Sequence, residues 1–173
     1  LWKKLTRTQW IILIILAAGF IGAAGILSFF FATVIAFVPA FFYLKSIRSA
    51  EEKDVEPWET IWVAFAWGGL SGVFLAIILN TIGTVFILGV LYGTSEVDDL
   101  ERMSIFIGAV IVAPIVEEFV KPLVMLRNAQ VKKEIDEVED GIVYGAACGL
   151  GFGATENVLY GLSPEALAAG VAG

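Results

Sequence analysis

The stretch MSIFIGAVIVAPIVEEFVKPLVML, Met103 to Leu126, decides how this chain is read. It is long and apolar enough to cross a bilayer, since about 20 apolar residues at ~1.5 Å each span a hydrocarbon core of ~30 Å. Yet it carries Glu117, Glu118 and Lys121 far from either end. Each such charge costs roughly 2.5 to 3.5 kcal/mol at a helix centre, whereas each Leu, Ile, Val or Phe returns only about 0.3 to 0.6. A helix of this composition belongs inside a bundle, its charged face turned from lipid towards partners or water. Glu117 and Glu118 stand four and three residues ahead of Lys121, so the lysine can pair with either. Adjacent carboxylates in a low-dielectric site resist ionising together, and such a site can give and take protons. Pro114 and Pro122 flank it, leaving the carbonyls of Val110 and Glu118 without their helical donors. Broken backbone at that depth is tolerated where it lines a protein or water cavity.

Working outward, 58% of the 173 residues are hydrophobic and 17% charged, which excludes an ordinary soluble domain. The composition predicts an all-α polytopic membrane protein with the lipid bilayer as its surroundings. No nucleic-acid partner is expected. Cys148, the one cysteine, allows no internal disulfide and reads as a packing residue among glycines and alanines. Residues 1–173 form a single integral membrane domain with about five spans, near 9–26, 28–44, 58–92, 103–126 and 141–162. The uncharged run from Gln9 to Leu44 would make a helix of about 54 Å, far beyond the core of ~30 Å. It is therefore expected to turn within GFIGAAGILS, Gly19 to Ser28, and form a hairpin. Pro57 and Trp58 open the next span in the manner of a helix start at an interface. An irregular outer end is expected near Asn80 to Thr84, and Gly68, Gly69 and Gly72 read as sites of close helix packing. The tail SPEALAAGVAG reads as the start of a further span beyond Gly173, so the chain is expected to be cut short of it.

Five spans put the amino terminus, the loop after Leu44 and the loop after Leu126 on one side. Those segments hold Lys3, Lys4, Arg7, Lys45, Arg48, Lys53, Arg127, Lys132 and Lys133, nine of the eleven basic residues. The positive-inside bias makes them cytoplasmic, amino terminus included.

The last span reads GIVYGAACGLGFGATENVLYGL, with Gly141, Gly145, Gly149 and Gly153 each four from the last. Small residues at that interval predict a smooth ridge for close helix approach. Glu156 borders the ridge and Asn157 continues its step, so this span's carboxylate and carboxamide are carried towards a neighbouring helix. The Met103–Leu126 helix, with the other intramembrane charges, is the natural partner. At ~1.5 Å per residue Glu118 is about 12 to 14 Å deep and Glu156 about 22 to 24 Å. They meet if the last helix begins in the cytoplasm near Asp140, or if the proline-flanked helix is kinked.

At these residues the sequence resembles the PrsW-type intramembrane protease family, which is similar in turn to the CAAX-processing and bacteriocin-processing membrane proteases. Glu117, Glu118, Phe119, Val120 and Lys121 match the family's EExxK motif. Phe152 to Glu156, continuing to Asn157, match its FxxxE motif. The family's third motif is a histidine on a later membrane helix, and this sequence has no histidine. The resemblance implies hydrolysis of a peptide bond in a membrane-associated protein, anti-sigma factors being the family's kind of substrate. It also implies residence in a prokaryotic cytoplasmic membrane.

In such a reaction Glu117, Glu118 and Glu156 are the catalytic candidates: one of the first two takes a proton from the attacking water. The other, or Glu156, holds the water or protonates the leaving amine. Lys121 and Asn157 are candidates for stabilising the oxyanion, and Phe152 supports the site. The metal stays open: a divalent ion such as zinc could assist, but the ligands present do not support one, because catalytic zinc takes three protein ligands with nitrogen or sulfur prominent. The competing expectations are an ion- or proton-coupled transporter using the same glutamates, and a non-catalytic scaffold built on the glycine ridge.

Overall fold

The structure, a computed structural model, describes residues 7–50, 55–92 and 100–163. Helix α1 spans Arg7–Arg48. A second rod is made of α2, Trp58–Ala66, a widened π-helical turn at Trp67–Gly72, and α3, Val73–Tyr92. A third comprises α4, Leu100–Phe106, a π-helical segment at Ile107–Val112, α5, Ala113–Val120, and α6, Leu123–Arg127. The short α7, Ala129–Glu134, leads into α8, Val138–Gly161. Among the described residues every element is helical, and the chain is a polytopic all-α membrane protein. Gly25–Arg48, Trp58–Leu91 and Arg102–Arg127 are long and apolar enough to cross a membrane.

The hairpin expected between spans 9–26 and 28–44 is absent: both belong to one continuous helix. Gly19, Gly22 and Gly25 each weaken a helix by about 1 kcal/mol relative to Ala. Each backbone group left unbonded in hydrocarbon costs several kcal/mol, so a glycine-rich run in lipid stays helical. One rod sets Arg7 and Arg48 at opposite ends. The cytoplasmic amino terminus that followed from a hairpin therefore does not follow from this helix. Lys45, Arg48, Arg127, Lys132 and Lys133 still gather at one end, where Leu44, Val124, Val131 and Tyr144 share a buried core.

The expected irregularity of the second rod also moves, from Asn80–Thr84 to Trp67–Gly72. The widened turn coincides with the WGGLSG run, where glycines let two backbones touch. A Cβ on Gly68 would lie 1.9 Å from the Cys148 carbonyl oxygen, and one on Gly151 would lie 2.1 Å from that of Phe65. The second π-helical segment lies immediately ahead of Pro114, whose missing N–H breaks the ladder.

Helix α8 is the centre of the bundle. It packs against α1, α2 and the Trp67–Gly72 turn, burying Val143, Tyr144, Ala147, Cys148, Gly151 and Phe152. Its small residues suit contact with protein, and the large apolar side chains stand on the outer faces, among them Ile35, Leu70, Phe86 and Phe119. Phe41, Trp58 and Trp62 stack at 6.1 to 6.3 Å between centroids beside the basic end, with the Arg48 guanidinium 4.7 Å above the Trp58 ring. Such a belt marks a membrane–water boundary. At the same end the Tyr144 hydroxyl donates to the buried Glu56 carboxylate, and Arg48 Nε donates to the Glu56 backbone oxygen at 2.7 Å. Glu137 and Asp140 form a capping box that starts α8 ahead of Gly141, on the side the meeting of the two motifs requires.

Candidate active site

Helix α5 stops at Val120 because Pro122 cannot donate to the Glu118 carbonyl. The turn is tight: Met125 N–H bonds to the Pro122 oxygen at 3.1 Å, leaving the Lys121 oxygen to another donor. Cys148 of α8 supplies it, its Sγ lying 3.1 Å from that oxygen. The expected packing cysteine thus also pins the broken end of α5 to the central helix. From this turn Lys121 Nζ reaches Glu118 Oε1 at 2.7 Å and Glu117 Oε2 at 3.6 Å. It also stands 4.9 Å above the Phe152 ring. Phe152 is 1% exposed, and a Cβ on Gly72 would meet its Cδ2 at 3.3 Å. The aromatic residue four before Glu156 therefore seats α8 against both the glycine turn and the lysine.

Between α3, α5 and α8 lies a cavity of about 320 Å³. Glu117 enters it from α5 and Glu156 from α8; Asn80 and Thr81 of α3, Phe152 and Tyr160 complete its polar and aromatic wall. Glu117, Glu156, Lys121 and Phe152 are thus brought together from two separate motifs. The adjacent glutamates part company: Glu117 is 20% exposed and faces the cavity, while Glu118 is 75% exposed. Glu118 borders a separate cleft with Lys121, Pro122, Met125, Gly145 and Gly149. Neighbouring residues on a helix point about 100° apart, which is why one enters and the other does not.

Asn157 departs from its expected place. It lines clefts against Ile35 and Ala36 of α1, on the other side of α8 from the carboxylates. The ridge of Gly141, Gly145, Gly149 and Gly153 is likewise not where helices touch most closely. A Cβ on Gly141, Gly149 or Gly153 would meet nothing within 4 Å, and one on Gly145 only the Met125 Cε at 3.8 Å. The close contacts belong to Gly151, Gly68 and Gly69, the last two being glycines that the sequence did mark for packing. Asn80 lines the cavity, and neither motif reveals it. Its one signal in the sequence is its place at the start of the expected irregular stretch, Asn80 to Thr84.

Donors that could hold a metal are few. The cavity offers two carboxylates, the sequence has no histidine, and Cys148 is engaged with the Lys121 carbonyl. No cluster of three or more candidate ligands occurs among the described residues. A catalytic zinc takes three protein ligands, so these residues do not by themselves fit one.

Residues 56–172 match the sequence profile of a family described as PrsW family intramembrane metalloprotease. The chain belongs to that family. It is also 32% identical over 89 residues to a protein named Protease PrsW from Oceanobacillus iheyensis, a stretch covering 51% of this chain and 41% of the relative. The chain thus spans about two fifths of that curated relative's length. No solved structure matches it. The match takes in both glutamate motifs, and the apolar helices around them make this an integral membrane protein.

Proposed function

We propose that this chain carries the catalytic carboxylates of a membrane-embedded endopeptidase that cuts single-span proteins of a bacterial cytoplasmic membrane. The observation that carries the reading is the shared cavity: Glu117 and Glu156, from different helices and different motifs, line one space. Glu117 is the base of the pair, because Glu118 stands outside the cavity. Its carboxylate takes a proton from a water held between it and Glu156, and the water oxygen bonds to the scissile carbonyl carbon. The carbonyl π-electrons move to oxygen, and the Lys121 ammonium, beside Glu117, balances that charge. The C–N bond then breaks as protonated Glu156 gives its proton to the leaving nitrogen. The proton on Glu117 passes to Glu156, directly or by way of solvent, and the site is restored. Anti-sigma-factor-like proteins are the substrate class that the family resemblance offers.

The test is cleavage of labelled single-span proteins by the full-length protein in proteoliposomes. Glu117→Gln and Glu156→Gln are expected to remove cleavage while the protein stays folded. Unchanged cleavage in both variants overturns the assignment, and ion-dependent stabilisation without any cleavage supports the transporter reading instead.

A further inference from the structure

A peptide bond inside a helix is shielded from attack, so a membrane-spanning substrate has to be extended over the carboxylates before it can be cut. Extension strips its backbone N–H and C=O groups of their helical partners, and each unpaired group in a low-dielectric space costs several kcal/mol. The walls of the cavity must supply partners. On the α3 wall Val73, Ala76 and Ile77 have none to give in their side chains, and the Thr81 hydroxyl already donates to the Ile77 carbonyl at 2.8 Å; the Tyr160 hydroxyl belongs to α8. Asn80 stands beside them in the same cavity wall. Its Oδ1 is shut off from solvent and has no hydrogen-bond partner among the described residues. A buried acceptor left in that state is costly, and because the last torsion of an asparagine side chain is loosely held, turning the carboxamide brings that oxygen into the cavity, where an extended chain satisfies it. A carboxamide is also the one side chain that presents both halves of a peptide group, an acceptor oxygen and N–H donors.

We infer that Asn80 is a substrate-binding residue: its carboxamide hydrogen-bonds the main chain of the extended substrate and holds the scissile segment against Glu117 and Glu156. This rests on the endopeptidase reading for what is bound. It stands apart from that reading in what is measured, because binding does not require hydrolysis. Asn80 then acts on any sequence that can be extended there, since it reads backbone and not side chains.

The test uses the full-length protein carrying Glu117→Gln in proteoliposomes, so that nothing is cut. The probe is a fluorescent single-span peptide in two series, one all-amide and one with successive backbone N–H groups replaced by ester oxygens. At one position the ester is expected to weaken binding by about tenfold, the loss of one hydrogen bond. Adding Asn80→Ala is expected to weaken the amide peptide by a similar factor and to leave the ester peptide at that position no weaker than before. Asn80→Leu, which fills the same space with an apolar side chain, is expected to repeat that pattern with unchanged thermal stability, since the atom removed is unpaired. Additive losses from the two changes overturn the assignment, as does binding that is undetectable or indifferent to residue 80. Peptide binding that depends on Asn80, together with a wild-type protein that cuts nothing, sinks the endopeptidase reading and leaves the binding role standing.

Discussion

At the scale of single residues, the adjacent glutamates are chemically identical and separated only by direction. Glu117 shares the cavity with Glu156, while Glu118 holds Lys121 from outside at 2.7 Å. Glu117→Gln and Glu156→Gln are accordingly expected to lower cleavage by about 10²- to 10⁴-fold, the usual contribution of a positioned acid or base. Glu118→Gln is expected to cost only about tenfold, by loosening Lys121, whose pairing is partly exposed to solvent. Cleavage rates of the three variants side by side decide this, and an equal loss in Glu118→Gln refutes the division of roles. Asp140, ahead of the apolar part of α8, gives a pH dependence. Burial raises its pKa, but the N–H groups of Glu137 at 2.7 Å and Asp136 at 2.9 Å outweigh that and hold the carboxyl below its ordinary value. A folded-state pKa below the unfolded one stabilises above the unfolded value and is lost as pH falls through the folded one. Thermal stability is expected to drop below about pH 4, and Asp140→Asn to flatten that acid limb while lowering stability at neutral pH.

At the scale of elements, the contact between α8 and the Trp67–Gly72 turn depends on atoms that are not there. A Cβ on Gly151 would sit 2.1 Å from a backbone oxygen that cannot step aside. Gly151→Ala is therefore expected to destabilise the bundle by about 1 to 3 kcal/mol, the range for forcing extra atoms into a filled contact. Gly149→Ala, with nothing within 4 Å of the added atom, is expected to melt like the wild type. The pair compared by thermal unfolding in detergent separates a packing glycine from one that only shares its spacing. The four-residue period was legible and still misleading. Periodicity names a face of a helix, but which neighbour lies against that face, and how closely, is set by the other rods.

Across the whole molecule, α8 is tied at two points in its first half. The Tyr144–Glu56 hydrogen bond ties its start to the chain entering α2, and the Cys148 thiol ties its middle to the break in α5. Tyr144→Phe keeps the ring but removes a donor from a buried carboxylate, so it is expected to lower stability by about 1 to 3 kcal/mol. Unfolding temperatures of Tyr144→Phe and wild type measured under one set of conditions check this. The amino-acid order alone determined the class of the protein. Runs of apolar residues leave helices as the way to satisfy the backbone in lipid, and intramembrane charges mark a site wherever they fall. It also determined which two helices carry the two motifs, because EExxK and FxxxE are local strings that can be read without a fold. Only the tertiary structure decided that residues 7–48 contribute one rod and not two, since a helix and a hairpin differ in how neighbouring rods and lipid satisfy the same backbone. It alone set Glu117 in the cavity and Glu118 outside it, turned Asn157 towards α1 and put Asn80 in the cavity wall. Those choices depend on the rotation of each helix about its own axis, and that angle is fixed by close contacts such as Gly151 on Phe65, which no stretch of sequence contains by itself.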